Sequence, residues 1–168
     1  MIDFKQMQVL DFTTHAEDGV MIGNPPYVRQ ELFKEYKPYL QQNYSSVYDG
    51  RGDLYTYCVK KGFDIIHNKG VLSLITSNKF IVRGYGEKLR NHLSSDKAIR
   101  TLINFGELPV FKASVDSSII IAQNRKPNNV DHLIYAQATQ KEHFEDINKF
   151  LSNSSNTKKI SDLKESWV

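Results

Sequence analysis

Four consecutive residues, Asn24-Pro25-Pro26-Tyr27, combine groups that suit the binding of a planar amine. The two prolines remove two backbone donors and fix two φ angles, so the segment is stiff and its carbonyl groups stay free to accept hydrogen bonds. An exocyclic NH₂ group can donate one hydrogen to the Asn24 side-chain oxygen and the other to the Pro25 carbonyl. These bonds would draw the nitrogen lone pair out of conjugation and free it to attack. Tyr27 can stack on the attached ring, worth about 1–3 kcal/mol per base.

The same residues directly follow a predicted buried strand, Gly19–Gly23. In an open α/β sheet, ligands bind beyond the carboxyl ends of the strands, so this loop lies where a site is expected. The alternative is a rigid strand-to-helix turn in which Tyr27 is a packing residue, since proline-rich turns are common. The tetrapeptide by itself leaves both interpretations open.

Short β-branched runs alternate along the chain with longer amphipathic stretches, the pattern of a sheet covered by helices. This order indicates an α/β fold with a mostly parallel sheet and one antiparallel strand, the last, because a short loop separates it from the strand before it. The predicted strands are Met7–Leu10, Gly19–Gly23, Val71–Thr76, Ile99–Phe105 and Val115–Ala122. The predicted helices are Gln30–Gln42, with a kink or an end at Pro38, then Asp53–Asn68, capped by Asp53, and Tyr85–Leu93.

The pattern changes after Pro127. His132–Ala136 is predicted as a further strand and Lys141–Leu151 as a helix, and the polar tract Ser152–Lys159 is typical of a linker or an exposed loop. No glycine-rich cofactor turn follows a strand near the start of the chain, which is where a complete doubly wound domain has one. We therefore expect the chain to begin partway through a doubly wound domain.

The composition is that of an ordinary globular domain. A chain of 168 residues with 40% hydrophobic and 24% charged content excludes disorder, collagen and a pure coiled coil. No apolar run is long enough to span a membrane and no signal peptide is recognisable, so a cytoplasmic protein without membrane contact is expected. A single cysteine, Cys58, fits a reducing compartment. The net charge of +3 permits a polyanionic partner but does not argue for one.

The segment Asp18–Tyr27 (DGVMIGNPPY) resembles the catalytic motif of amino-group methyltransferases that modify adenine N6 in DNA. Three further segments stand in the same order and at similar spacing: Gly50–Tyr55, Gly70–Phe80 and Ile103–Phe111. Together they resemble the methyltransferase part of fused restriction-and-modification enzymes of the type IIG class, over roughly residues 3–125. The resemblance implies the catalytic, C-terminal part of a Rossmann-like fold that uses S-adenosylmethionine.

The resemblance also implies roles for individual residues around a flipped adenine. Asn24 and Pro25 would hold the N6 amine, Pro26 belongs to the same catalytic loop, and Tyr27 would stack on the base. Phe111 would be a second aromatic against the target, with a loop-anchoring core residue as its alternative. Two further candidates for the target pocket are Lys79 and Phe80, for which a solvated lysine and a core phenylalanine are equally good interpretations.

The cofactor expectation concerns the end of the first predicted strand. Asp11, with Phe12 beside it, resembles the acidic position that accepts a bond from the adenine amine of S-adenosylmethionine, although an Asp after a strand is also a common loop starter. Asn24 would adjoin the same cofactor. No metal site is expected, because the five histidines and Cys58 lack metal-ligand spacing. Basic residues that could touch phosphate, or simply form a solvated face, are Arg83, Lys88 and Arg90.

The expected domain organisation is therefore partial. Residues 1–126 would be part of a catalytic domain and residues 127–168 a connecting segment toward a DNA-recognition domain. The expected activity is methyl transfer to adenine N6 in double-stranded DNA within a restriction-modification system. The isolated chain would be inactive without its N-terminal cofactor-binding segment and would tend to self-associate through an unpaired sheet edge.

Two alternative functions stay open. Asn-Pro-Pro-Tyr loops also serve methylation of adenine in structured RNA and of glutamine amides in proteins, although the stretches at Asp53–Tyr57, Ser77–Phe80 and Gly106–Phe111 favour the DNA family. The second alternative, from another class, is a non-catalytic module that contributes DNA contacts or an assembly surface. Restoration of activity by a chain that supplies the cofactor loop would argue against such a module.

Overall fold

The structure is a computed structural model that describes residues 13–15, 19–111 and 115–160. Its strands form one seven-stranded sheet in the order β1-β2-β3-β5-β4-β6-β7. The strands are β1 (Thr13–His15), β2 (Val20–Gly23), β3 (Val71–Ser77), β4 (Ala98–Gly106), β5 (Ser117–Gln123), β6 (Leu133–Gln137) and β7 (Thr157–Ile160).

Four of the strands, β2, β3, β4 and β6, run in one direction. The pairs β2–β3 and β4–β6 are parallel, and β5 lies between β3 and β4 and is antiparallel to both. The α/β class and the antiparallel β5 are therefore confirmed. The expectation of one antiparallel strand is corrected to three, because β1 and β7 pair antiparallel with β2 and β6 at the two ends of the described sheet.

Two of the strands were not expected from the sequence, for different physical reasons. β1 is three residues long and lies close in sequence to β2, and a short connection can join only antiparallel strands. β7 belongs to the tract Ser152–Lys159, whose polar, lysine-containing sequence suits the edge of a sheet as well as a linker. The interpretation of that tract as a linker or an exposed loop is wrong, since it contributes a 3₁₀ turn at Ser154–Asn156 and most of β7. The strand predicted at Met7–Leu10 lies outside the described residues.

The described helices are α1 (Lys37–Asn43), α2 (Leu54–Ile65), α3 (Lys79–Val82), α4 (Glu87–Asp96), α5 (Glu142–Glu145) and α6 (Ile147–Ser152), with 3₁₀ helices at Gln30–Tyr36 and Gly84–Gly86. Two of the described α-helices, α2 and α4, are long enough to cover the sheet, and the others are short. Pro38 lies in the first turn of α1 rather than at a helix end, because a missing N–H is tolerated there. Within the described part of the chain, no helix is long and apolar enough to cross a membrane.

The main core forms where α2 packs on the sheet. Gly62 of α2 lies so close to β3 that an added Cβ atom would be 2.9 Å from Leu72 Cδ1. Cys58 is fully buried in this core, and burial raises the pKa of its thiol to about 12, so the thiol stays protonated and unreactive at neutral pH. Large buried side chains of the same core include Tyr55, Tyr57, Phe33, Phe80, Met21 and Leu74.

A second, smaller core joins β6 and α6 to β4. Phe105 of β4 and Ala136 of β6 pack there with Phe150 of α6. Leu108 and Val110, on the loop after β4, pack against the same cluster. Residues up to 160 therefore continue the sheet and anchor the loop that carries Phe111; the division of the chain at residue 126 stays a prediction.

Candidate active site

The Asn24–Tyr27 loop begins at the carboxyl end of β2. Gly23 at that end pairs with Leu74 of the parallel strand β3, which continues to Ser77. The loop then runs beside the end of β3, since the Tyr27 hydroxyl donates a hydrogen bond to the Ile75 carbonyl at 3.3 Å. This is the sheet edge at which the sequence predicts a site, and the Ser77–Phe80 segment begins at the same edge.

The first two residues of the loop differ in burial. Asn24 is exposed, and its side chain has no hydrogen-bond partner among the described residues. Pro25 is buried, which fixes the backbone next to the Asn24 amide. An exposed amide on a rigid backbone can accept a hydrogen bond from a ligand without first giving up an internal one.

Phe111 and Tyr27 meet although they are far apart in the sequence. Their ring centroids are 6.0 Å apart and their planes are inclined by 65°. Two rings at this angle form a corner, so a planar ligand can stack on one face and meet the other ring with its edge. Leu108 and Val110 anchor the loop after β4 in the second core. Phe111, on the same loop, contacts Tyr27.

The Tyr27 hydroxyl is held as a neutral donor. Desolvation by burial raises the pKa of Tyr27 to about 12, so the phenol stays protonated over the physiological range. Its hydrogen is already engaged by the Ile75 carbonyl. The hydroxyl proton of Tyr27 is therefore occupied within the protein, and a ligand would meet the ring instead.

A cavity of about 230 Å³ lies beside Tyr27. Lys79 lines this cavity, and its role in a target pocket stays a prediction. Phe80 lies in the core instead: it is 1% exposed and its ring centroid is 6.4 Å from that of Tyr55. Its placement supports the core interpretation, and Phe80 does not line the cavity. The cavity is also lined by Arg29, Asp53, Tyr55, Ser77, Val115 and Asp116.

Asp53 lines the same cavity, although the sequence predicts it as the cap of the helix that follows it. Asp53 precedes α2, but its side chain makes no capping hydrogen bond to that helix. The prediction that its side chain caps α2 is therefore wrong. Its carboxylate accepts the Gln30 N–H at 3.2 Å instead. Desolvation by burial raises the pKa of this carboxyl. The segment Gly50–Tyr55 contains Asp53 and Tyr55 and was a signal that could have found both.

A hydrogen-bond network ties the strand ends around the site together. Asn78 Nδ2 donates to Asn104 Oδ1 at 2.9 Å, and the same oxygen accepts the Gly106 N–H at 3.0 Å. The Asn78 N–H donates to the Asp116 carbonyl at 3.0 Å. Gly106 has a φ of +57°, a conformation that favours glycine, and it opens the loop that leads to Phe111. The network therefore connects Lys79 and the Phe111 loop to one rigid edge.

The expected cofactor contacts are covered only in part. Asp11 and Phe12 lie outside the described residues, and Asn24 is the one candidate that the structure describes. In residues 13–15, 19–111 and 115–160, no group of three or more His, Cys, Asp or Glu side chains is arranged to hold a metal ion.

Comparison with known proteins decides the family. Residues 11–111 match the family described as Eco57I restriction-modification methylase. The chain belongs to this family. The match covers the Asn24–Tyr27 loop and ends at Phe111, so it contains both walls of the aromatic corner. The resemblance to type IIG restriction-and-modification enzymes is thereby confirmed.

Relatives with curated descriptions are much longer than this chain. The type II methyltransferase M.BstVI of Geobacillus stearothermophilus is 27% identical over 146 residues, which are 84% of this chain and 26% of that protein. The type II restriction enzyme and methyltransferase RM.Eco57I of Escherichia coli is 29% identical over an alignment of 171 positions, which covers 99% of this chain and 17% of that protein. YpsC of Bacillus subtilis, which carries a provisional RNA methyltransferase description, is 38% identical over 88 residues, 52% of this chain and 19% of that protein.

The fold also has a counterpart among solved structures. The type IIG restriction endonuclease BpuSI superimposes with a TM-score of 0.62 at 15% identity, covering 89% of this chain and 20% of that chain. This likeness confirms the fold expected from the sequence, that of the restriction-modification methyltransferases. The chain spans about a quarter or less of the length of each of these relatives.

Proposed function

We propose that this chain carries the target-base site of a DNA methyltransferase that modifies adenine N6. The observation that carries the proposal is the contact of Tyr27 with Phe111 beside the Asn24 loop, because it joins an amine-binding amide and two aromatic surfaces at one sheet edge. RM.Eco57I and M.BstVI, described as type II methyltransferases, support methyl transfer to DNA. The partial coverage of these relatives supports a role as part of a larger enzyme.

The proposed mechanism uses the rigidity of the loop. The flipped adenine stacks on Tyr27 and meets Phe111 with its edge, and its N6 amine donates to the Asn24 side chain and the Pro25 carbonyl. These acceptors raise electron density on N6 and hold its lone pair toward the methyl group. Because Pro25 is buried, its carbonyl needs no reorganisation when the transition state forms. Lys79, which lines the adjoining cavity, is proposed to contact the target nucleotide.

S-adenosylmethionine supplies the electrophilic methyl group when it is bound. The exposed Asn24 side chain, unpaired among the described residues, fits a group held beyond the carboxyl end of β2. Asp11 and Phe12 are proposed as further contacts to the adenine of this cofactor. The isolated 168-residue chain is predicted to bind the cofactor weakly, which calorimetric titration can measure, and to self-associate, which light scattering can measure.

The test compares Asn24→Ala with Asn91→Ala, a matched control at an exposed asparagine of α4. In the protein as its gene encodes it, Asn24→Ala should lower kcat for methyl transfer to DNA by about 10²–10³-fold, because the lost bond acts in the transition state. The Kd for DNA should change by only a few-fold, and Asn91→Ala should leave both values unchanged. An unchanged kcat in Asn24→Ala would contradict the proposal.

The similarity to YpsC favours RNA as a second candidate substrate. The same assay separates the candidates when it offers duplex DNA, structured RNA and a glutamine-containing protein as acceptors. Transfer to DNA alone supports the DNA proposal. Transfer to RNA or to glutamine in preference to DNA would replace it. The absence of transfer to any acceptor, by a chain that binds DNA, would favour the non-catalytic module.

A further inference from the structure

A groove opens next to the cavity at Tyr27. Its volume is about 330 Å³, against about 230 Å³ for the cavity. Arg29, Asp53 and Lys79 line both spaces, so the two are neighbours with a shared wall. A molecule that places a flat group in the cavity would therefore extend into or past the groove.

Four of the eight residues that line the groove are basic. Arg29, Lys79 and Arg83 line it and have no ion-pair partner among the described residues. Arg51 also lines it, but its Nε lies 3.2 Å from Asp49 Oδ1, so its charge is already shared. The three unpaired cations are therefore available to an anionic ligand.

Two acidic residues in the lining modify this field. Asp53 is half-buried and its carboxylate accepts the Gln30 N–H. Glu31 is exposed, and as a lining residue it would repel an anion in the groove. Removal of a positive charge from the lining should therefore weaken anion binding, and removal of the Glu31 charge should strengthen it.

The structure also separates the basic residues that the sequence grouped together. Arg90 donates to the carbonyls of Phe80 and Arg83, at 2.7 and 2.9 Å, and so holds the turn after α3 together. Lys88 is exposed on α4 and does not line the groove. Of the three candidates for phosphate contact, Arg83 alone faces the groove.

We propose that Arg29, Lys79 and Arg83 bind the backbone phosphates that flank the nucleotide whose base enters the cavity at Tyr27. The inference rests on the proposed function, because it takes the cavity as the place of the target base. A flipped nucleotide stays covalently attached to the phosphates on either side, so these must lie just outside the cavity. Guanidinium and ammonium groups in the groove would neutralise them and fix the register of the strand.

The test measures binding of the protein as its gene encodes it to a fluorescein-labelled single strand of thymidines with one central adenine, by anisotropy over a range of salt concentrations. Arg83→Gln and Arg29→Gln should each weaken binding by roughly threefold to tenfold at low salt and reduce the slope of log K against log salt by about 0.7. Glu31→Gln should tighten binding. Lys88→Gln and Glu35→Gln, exposed charges that do not line the groove, serve as matched controls and should have little effect.

Neutral methylphosphonates at the two linkages flanking the adenine test the register. They should weaken binding of the unmodified protein but cause little further loss in the Arg29→Gln, Arg83→Gln double variant, because the contacts are already gone. Additive losses, no detectable binding at the lowest salt concentration, or equal effects of the control variants would overturn the proposal.

These outcomes are independent of methyl transfer. Asn24→Ala should leave the salt slope unchanged, since it removes no cation. The expected salt slopes without any methyl transfer would support the phosphate groove and contradict the proposed function. Methylation of adenine without the expected changes in salt slope would contradict only the phosphate groove.

Discussion

The side chain of Tyr27 is fixed at two points before any ligand arrives. Its hydroxyl donates to the Ile75 carbonyl at 3.3 Å, and its ring contacts Phe111 at 65°. The ring face is therefore oriented by the end of β3 and by the loop after β4. Such preorganisation reduces the entropy lost when a base stacks on the ring.

Substitution of Tyr27 should separate its ring from its hydroxyl. Tyr27→Ala removes the stacking face and should lower kcat/KM for DNA methylation by roughly 10–100-fold, from about 1–3 kcal/mol of lost stacking. Tyr27→Phe removes one hydrogen bond of about 0.5–1.5 kcal/mol and should lower it by less than about tenfold. Steady-state kinetics of both variants, with Tyr39→Ala as an exposed control, measures the difference. Equal losses for Ala and Phe would mean that the hydroxyl matters and that stacking is the wrong explanation.

Residue types in the motifs predicted which side chains meet at the site better than they predicted how those side chains are held. The sequence placed Asn24, Tyr27 and Phe111 together by resemblance, and the Tyr27–Phe111 contact agrees with that. The role of Asp53 was missed, because a helix cap and a bond to the Gln30 N–H require the same residue at the same position. Only the path of the 3₁₀ segment that carries Gln30 distinguishes them.

At the scale of elements, the turn between α3 and α4 packs against the site-bearing segment. A Cβ atom added at Gly86 would lie 2.2 Å from the Phe80 carbonyl oxygen, whereas one at Gly84 would meet nothing within 4 Å. Arg90 donates to the same carbonyl. The close approach of backbone at Gly86 therefore holds α3, and with it Lys79, against the start of α4.

The two glycines form a matched pair for a stability measurement. Gly86→Ala should lower the free energy of unfolding by about 1–3 kcal/mol, because the added methyl group forces the backbone apart. Gly84→Ala should change it by no more than about 0.5 kcal/mol. Urea denaturation followed by circular dichroism measures both values. A similar loss in the two variants would show that backbone freedom, rather than the contact with Phe80, sets the cost.

The long strands of the sheet could be predicted because each contains enough β-branched residues to show its period. β3 and β4 were predicted to within one residue at each end, and β5 to within two. The short β1 and the polar β7 were not predicted, since their pairing depends on the partners β2 and β6 rather than on their own composition.

At the scale of the whole molecule, one carboxylate joins the connection between β5 and β6 to the central strand β4. Asp131 accepts two bonds from Arg125, both at 2.7 Å, and one from Arg100 of β4 at 2.9 Å. Its side chain is 8% exposed. The hydrogen bonds from Arg125, followed by the bond from the Asn128 N–H and the nearby cations, hold the pKa of Asp131 well below its usual range. The network fixes the connection between β5 and β6.

The lowered pKa makes the contribution of Asp131 to stability depend on pH. Because the folded state favours the carboxylate, this stabilisation is complete above the ordinary carboxyl value of about 4 and is lost as the pH falls below it. Asp131→Asn should therefore unfold at a lower temperature than the unmodified chain at pH 7, and the difference should shrink below about pH 4. Calorimetry between pH 3 and pH 7 measures it, with Asp64→Asn, at an exposed pair with Lys60, as the control. A difference that is constant over this range would contradict the assigned cause.

The most direct test of the target-base site identifies the methylated atom. The protein as its gene encodes it is incubated with duplex DNA and S-adenosylmethionine that carries a deuterated methyl group, and the DNA is digested to nucleosides for mass spectrometry. We expect the label in N6-methyldeoxyadenosine, and its loss in Asn24→Ala but not in Asn91→Ala. Label in a cytosine nucleoside, or equal labelling of adenine by the unmodified protein and by Asn24→Ala, would contradict the assignment of the Asn24 loop to the adenine amine.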